Sequence, residues 1–108
     1  MDRRVQKLIS LLEKDFEQRH SFRDLAELVN LSPSRLRHLF KAEVGVSVRG
    51  YQNFLRMEKA KELVETSFLS IKQIRNMLGV TDKSRFAQRF RKAYGATPSR
   101  HRIGTPRT

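Results

Sequence analysis

Two stretches of this chain carry basic and polar side chains at helical spacing, opposite apolar residues that a protein core would bury. The apolar residues are Leu36, Leu39 and Phe40 in the first stretch and Phe86 and Phe90 in the second. The opposite edges hold Ser34, Arg37, His38 and Lys41 in the first, and Lys83, Ser84, Arg85, Gln88, Arg89 and Lys92 in the second. Arginine can donate two hydrogen bonds to guanine, and glutamine can pair through two bonds with adenine. Such edges are suited to reading DNA bases and contacting phosphates.

The two stretches belong to a pattern that occurs twice in the chain. Apolar positions of the first copy recur 49 residues later, so that Ile74, Leu78 and Val80 correspond to Leu25, Val29 and Leu31. Later positions recur after 50 residues, so that Phe86, Phe90, Gly95 and Thr97 correspond to Leu36, Phe40, Gly45 and Ser47. The second turn therefore carries one extra residue. Each copy is typical of a helix, a tight turn and a second helix, and two copies indicate a protein that reads two stretches of DNA.

The charge balance favours a polyanionic partner. Lys and Arg total 23 and Asp and Glu total 11, which gives a net charge of +12 in 108 residues. Neutralising phosphates releases counterions, and this release dominates the binding of basic proteins to nucleic acids. Charge alone does not distinguish DNA from RNA or from an anionic membrane, whereas charge and the repeat together favour nucleic acid.

Several classes of function are not supported by the sequence. The chain has no cysteine, which excludes disulfides and cysteine-ligated metal sites. No apolar run approaches the roughly 20 residues of a membrane span, and no secretory signal opens the chain, so we expect a bacterial cytoplasmic protein that acts on the nucleoid. His20, His38 and His101 lack the spacing of metal ligands, and we expect His20 and His101 at the surface. We predict no enzyme, no metal and no cofactor.

Periodicity and capping residues predict an all-α fold of about seven helices. The first helix covers about residues 2–18, with Asp2 as its cap and Phe16 on its apolar face. Later helices are predicted to start at Ser21, Ser32-Pro33, Ser47, Ser70, Asp82 and Thr97-Pro98. We predict a first helix-turn-helix subdomain at 1–46, a long linker helix at 47–66, a second subdomain at 67–104 and a flexible tail at 105–108. In the linker helix, the residues expected to face inward are Tyr51, Phe54, Leu55, Ala60, Leu63 and Val64.

The linker helix suggests how the two units would be used. Residues 48–66 would span roughly 28 Å at about 1.5 Å per residue. Successive major-groove segments on one face of DNA lie about 34 Å apart. We therefore expect a monomer to place both second helices in successive grooves of an asymmetric site of roughly 20 base pairs.

The position of each basic residue suggests its role. Residues near the start of a recognition helix are the ones that usually reach bases, so we expect base contacts from Arg37, Lys83 and Gln88. Lys41, Arg91 and Lys92 are expected on a solvated face or against phosphate. The full set of expected phosphate contacts is Arg35, Lys41, Arg89, Lys92, Arg100 and Arg102.

Short motifs between Ser21 and Arg102 carry a resemblance to a known family. In the first copy they are Leu25-Ala26-Glu27, Ser32-Pro33-Ser34-Arg35-Leu36, Phe40-Lys41 and Gly45, and in the linker helix Arg56-Met57-Glu58-Lys59-Ala60 with Leu63-Val64. In the second copy they are Ser70-Ile71 with Ile74, Ser84-Arg85-Phe86, Phe90-Arg91-Lys92, Gly95-Ala96-Thr97-Pro98 and Ser99-Arg100-His101-Arg102. With these motifs, about three-quarters of the chain resembles the DNA-binding domain of AraC/XylS transcription regulators.

The resemblance implies two helix-turn-helix subdomains joined by a rigid helix, which bind adjacent major grooves and contact RNA polymerase to activate transcription. Carried over by position, the base-contacting residues would be Ser34, Arg37 and His38 in the first unit and Lys83, Ser84, Arg85 and Gln88 in the second. The chain departs from the family at Arg75, where alanine is usual, at Val80, where an aromatic residue is common, and at Val48, where proline is common.

Three hypotheses follow for the function. The first is a sequence-specific, DNA-binding transcription regulator that activates its targets. The second is a basic protein that binds nucleic acid without sequence preference, and the third is an interaction module that uses the same fold to hold polymerase or another regulator. Most family members carry a further sensing or dimerisation domain. The initial methionine and the complete first helix favour a short standalone regulator over a fragment.

Overall fold

Seven α-helices and no strand make up the part of the chain described by a computed structural model, residues 1–14 and 20–104. This confirms the all-α prediction. The helices are α1 Arg3–Lys14, α2 Phe22–Leu28, α3 Pro33–Val44, α4 Val48–Thr66, α5 Ile71–Met77, α6 Lys83–Tyr94 and α7 Pro98–Gly104. The predicted continuation of the first helix through Phe16 and the predicted tail at 105–108 lie outside the described residues.

The predicted capping residues begin the helices because each supplies an oxygen to a main-chain N–H that the first turn leaves without a partner. The Ser32 hydroxyl accepts the N–H of Arg35 at 3.2 Å, and the Asp82 carboxylate accepts that of Arg85 at 2.9 Å. Before α5, Ser70 and Gln73 form a reciprocal capping box.

The turn within each helix-turn-helix unit uses a left-handed residue two positions after the end of the first helix. Asn30 has φ 56° in the first unit, and Gly79 has φ 70° in the second. Asparagine and glycine are the residues that adopt this conformation most readily. The turn of the second unit is one residue longer than that of the first, as the two offsets of the repeat predict.

The chain divides into two compact units, Met1–Leu55 and Arg56–Thr108, so the boundary falls inside α4. Each half of the predicted linker helix contributes to the core of its own unit. The core of the first unit is a cluster of Val5, Leu8, Leu12, Leu25, Ala26, Val29, Leu36, Phe40 and Val48. The buried apolar residues of the second unit include Met57, Ala60, Val64, Ile74, Leu78, Phe86 and Phe90.

One residue of α4 does not face inward as predicted. The side chain of Phe54 is 53% exposed, whereas Val48 is buried and Tyr51 and Leu55 pack against the core of the first unit. These three residues form one stripe at helical spacing, and Phe54 lies beside it with its ring tilted against Tyr51 at 6.3 Å. The prediction was wrong because an apolar residue beside a helical stripe is not distinguishable by type from one within it.

An aromatic and charged cluster joins α7 to α4 within the second unit. His101 was expected at the surface, but its Nε2 lies 2.6 Å from a carboxylate oxygen of Glu65, and its ring meets Phe90 edge-on at 5.5 Å. Tyr94 contacts the same Phe90 ring at 4.8 Å, and the Lys61 ammonium lies 5.3 Å from the centre of the Tyr94 ring. Burial, followed by nearby carboxylate charges, raises the pKa of Tyr94 above its usual value.

Arg102, one of the predicted phosphate contacts, makes several hydrogen bonds within the second unit. Its guanidinium is partly buried and donates to main-chain carbonyl oxygens at the end of α4 and in the following loop, namely those of Leu63, Val64, Ser67 and Leu69. The last carbonyls of a helix have no partner within the helix, and a planar guanidinium with five donors can serve several of them together. We therefore assign Arg102 a structural role in the second unit.

Arg102→Ala is expected to lower the free energy of unfolding by about 2 kcal/mol or more, because it removes charge-assisted hydrogen bonds to partly buried carbonyls. Chemical denaturation measures the loss. Arg100→Ala is the matched control, since Arg100 lies on the same helix with an exposed side chain and should change stability by less than about 0.5 kcal/mol. Equal effects of the two substitutions would contradict the structural role.

Candidate nucleic-acid interface

In the first unit, two fully buried residues set which face of α3 is exposed. Leu36 and Phe40 are both 0% exposed and lie one turn apart, so the rotation of α3 about its own axis is determined by the core. The predicted contact residues of this helix are all exposed, namely Ser34, Arg35, Arg37, His38 and Lys41. Most of them lie three or four residues apart and so share one edge of the helix. The edge begins directly after the Ser32 cap and Pro33, so it includes the helix start that usually approaches bases.

Arg37 is held by an aromatic ring that sequence reasoning did not single out. Its guanidinium carbon lies 5.0 Å from the centre of the Phe22 ring, a cation–π contact. Phe22 is the first residue of α2 and packs, partly buried, against the core of the first unit. The ring therefore restricts a flexible side chain that would otherwise sample many rotamers in solvent. Phe22 directly follows the Ser21 cap, but no sequence signal pairs it with Arg37, because the two residues lie on different helices.

In the second unit, Phe86 and Phe90 orient α6 in the same way, at 1% and 0% exposure. The exposed residues of this helix include all the predicted contacts on it: Lys83, Ser84, Arg85, Gln88, Arg89 and Lys92. Arg100, on α7, is also exposed. The sequence of α6 contains no acidic residue, so apart from its Asp82 cap the helix carries only positive and neutral side chains. The potential along this edge favours an anionic ligand.

The repeat shows where the two exposed edges agree and where they differ. Ser84 and Arg85 of α6 correspond to Ser34 and Arg35 of α3. The next turn differs, because α6 has Ala87 and Gln88 at the positions of Arg37 and His38. The two helices therefore present different hydrogen-bonding groups at the positions that would read bases, and their targets are expected to differ.

Two acidic residues of the first unit, Glu43 and Asp2, are engaged away from the basic edge of α3. Glu43, near the end of α3, accepts the Asp2 main-chain N–H at 3.0 and 3.1 Å. The Asp2 carboxylate accepts from the Arg4 side chain at 2.9 and 3.1 Å, and this hydrogen bonding lowers the pKa of Asp2 to about 2. These carboxylates tie the start of α1 to the end of α3, where they do not interrupt the basic edge that begins at Ser34.

Two other kinds of site are absent from the described residues. Within residues 1–14 and 20–104, no group of three or more His, Asp or Glu side chains is arranged to hold a metal ion. Over the same residues, no helix combines the length and the apolar character that a membrane crossing requires.

Comparison with known proteins agrees with this architecture. A profile described as a helix-turn-helix domain matches residues 25–103. The arabinose operon regulatory protein of Salmonella typhimurium (strain LT2) is 34% identical over 105 residues, which are 96% of this chain and 37% of that protein. The chain spans about a third of the length of the curated relatives it matches.

Solved structures have the same fold. A transcriptional regulator of the AraC type from Chromobacterium violaceum superposes with a TM-score of 0.84 at 29% identity, over 93% of this chain and 89% of that one. The DNA-binding domain of AdpA, solved in complex with a target DNA, has a TM-score of 0.84 at 18% identity, over 92% of this chain and 89% of that one, and shows likeness of fold alone. On the profile match, the relatives and the paired helix-turn-helix units together, the chain belongs to the AraC family of helix-turn-helix DNA-binding domains.

Proposed function

We propose that the chain is a sequence-specific, DNA-binding transcription regulator in which α3 and α6 act as recognition helices. The observation that carries this proposal is the exposed basic and polar edge on the second helix of each unit. Each edge is held outward by a pair of buried apolar residues one turn apart. The structure of the AdpA DNA-binding domain in complex with a target DNA supports the use of this fold on DNA.

The roles proposed for individual residues follow from their places on the two helices. Ser34, Arg37 and His38 would contact bases in the first unit, and Lys83, Ser84, Arg85 and Gln88 in the second. Phosphate contacts would come from Arg35, Lys41, Arg89, Lys92 and Arg100. Arg35 and Arg85 are equivalent in the repeat yet carry different proposed roles, so comparing their alanine variants on specific and random DNA tests that distinction.

The mode of action extends the proposal. One chain carries two unlike recognition helices, so we propose that it binds as a monomer in successive major grooves, to an asymmetric site of roughly 20 base pairs. We further propose that it acts in the bacterial cytoplasm and activates transcription through contact with RNA polymerase. This function is binding alone and requires no catalytic group.

Selection of bound duplexes from a random library tests the function directly. The expected result is two unlike sequence motifs centred about ten base pairs apart, one for each unit. The affinity for the selected site should fall steeply with salt and should exceed that for random duplex by about a thousandfold or more. Equal affinity for selected and random duplex, or preference for structured RNA, would instead support binding without sequence preference. Absence of DNA binding by the folded protein at low salt would support an interaction module.

Arg37→Ala is expected to cost about 1–3 kcal/mol on the selected site and to relax preference at one base pair, because it removes a base-reading donor. Lys41→Ala, from the same helix, is the matched control and should weaken binding to selected and random duplexes alike. Competition titrations with single-base variants of the site measure both. The assigned roles are wrong if the two substitutions weaken all duplexes to the same degree.

Phe22→Leu is expected to reduce preference at the base pair read by Arg37 by about 0.5–1 kcal/mol, because the guanidinium loses the ring over which it is held. Phe22→Tyr retains an aromatic face and should keep the preference. The same titration measures both variants, alone and combined with Arg37→Ala. A loss that persists when Arg37 is already alanine would show that Phe22 does not act through Arg37.

A further inference from the structure

We propose that Arg75 is a positioning residue that holds the longer turn of the second unit and thereby sets the direction in which α6 leaves that turn. The proposal concerns the second unit alone and rests, for its effect on DNA, on the proposed function. Arg75 is a buried residue of α5 and does not belong to the exposed edge of α6, and none of the roles assigned above includes it.

Arg75 is unusual among the described residues because it is the one charged or polar side chain that is buried, at 9% exposure. Its Nη1 donates to the main-chain carbonyl of Thr81 at 3.3 Å and lies 3.5 Å from that of Val80. Its Nε is buried and has no hydrogen-bond partner within the described part of the chain. Burying a guanidinium with an N–H left unsatisfied is unfavourable, so filling space does not explain the residue.

The first unit provides an internal comparison. Ala26 occupies the position equivalent to Arg75 and is 1% exposed. The main chain around the two residues is alike, because the N–H of Leu31 bonds to the Ala26 carbonyl at 3.0 Å and that of Val80 bonds to the Arg75 carbonyl at 2.9 Å. The arginine is therefore accommodated without altering this bond, and alanine is the residue that the first unit uses at the equivalent position.

The carbonyls that Arg75 contacts lie in the part of the turn that is longer in the second unit. Thr81 directly precedes Asp82, whose carboxylate caps α6 through the Arg85 N–H. A longer turn has more backbone freedom to lose, and its carbonyls have no strand or helix ladder to join. The guanidinium supplies donors for both of them. It thus restrains the two peptide groups that decide where the cap, and with it the first turn of α6, is placed.

The predicted consequence for DNA is confined to one half of the site. Recognition requires the first residues of α6 to meet base edges at fixed geometry, so a loosely held turn would lower selectivity at the base pairs read by α6. The base pairs read by α3 would be unaffected, because the turn of the first unit is shorter and contains no such contact. A merely structural role for Arg75 would speed hydrogen exchange throughout the second unit, whereas the proposed role confines the change to the turn and the start of α6.

The test combines a measurement on the free protein with one on DNA. Arg75→Ala introduces the alanine found at the equivalent position of the first unit. Arg75→Lys keeps the charge but replaces the planar guanidinium with a single ammonium group. Lys72→Ala, at an exposed position on the same helix, is the matched control. Hydrogen exchange of the free protein should become faster at residues 80–86 in Arg75→Ala, with no change at residues 31–36 and none in the control.

On the site selected by the wild-type protein, Arg75→Ala should reduce preference at the base pairs of the second motif roughly tenfold, an effect on the scale of one specific base contact. Preference at the first motif should remain, and Arg75→Lys should fall between alanine and the wild type. Unchanged exchange at residues 80–86, or equal losses at both motifs, would overturn the proposal. If Arg75→Ala does not fold, the same comparison is made with Arg75→Lys. A wild-type protein without base preference would refute the proposed function instead, and hydrogen exchange would still decide whether Arg75 holds the turn.

Discussion

The burial of two apolar side chains one turn apart on the second helix of each helix-turn-helix unit is the constraint on which the rest of this structure depends. A helix with a single anchoring residue can rotate about its axis, whereas two fully buried residues at a spacing of four remove that freedom. Leu36 and Phe40 do this for α3, and Phe86 and Phe90 do it for α6. These buried pairs set the rotation of each helix and therefore the side chains that it exposes. The core thus determines which polar groups are available to a ligand.

The repeat places two similar scaffolds in one chain, but the two units differ in the contacts that their arginine side chains make. In the first unit an exposed arginine, Arg37, is restrained from outside by the ring of Phe22. In the second unit a buried arginine, Arg75, contacts the turn from within. Both arrangements use a guanidinium, which remains charged and combines a flat face with several donors.

The end of the chain shows the same residue type used for a third purpose. Arg102 donates to carbonyls at the end of α4 and in the loop that follows, and His101 meets Glu65 and Phe90 beside it. These contacts attach a helix of seven residues, which is too short to be stable alone, to the core of the second unit. An arginine within a basic motif near a recognition helix was therefore part of the scaffold, while its neighbour Arg100 is exposed.

Much of this molecule was predictable from local patterns. Caps such as Ser32, Ser70 and Asp82 begin helices through hydrogen bonds to residues three positions away. The periodic apolar positions identify the buried face of each helix. The order of the helices, the two units and the exposed edges of α3 and α6 therefore follow from the sequence. Predictions were wrong where the outcome depends on a choice between similar side chains. Phe54 and Leu55 are both apolar neighbours, and only packing decides which one the core accepts.

By itself, the sequence determined that this is a repeated, basic, all-helical protein with two helix-turn-helix units, because those properties depend on interactions within a few residues of each position. Only the tertiary structure decided what Arg37, Arg75 and Arg102 do. Their partners are an aromatic ring on another helix, the carbonyls of a turn, and the end of α4, respectively. A guanidinium can satisfy any of these groups, and which of them it meets depends on which elements fold against it.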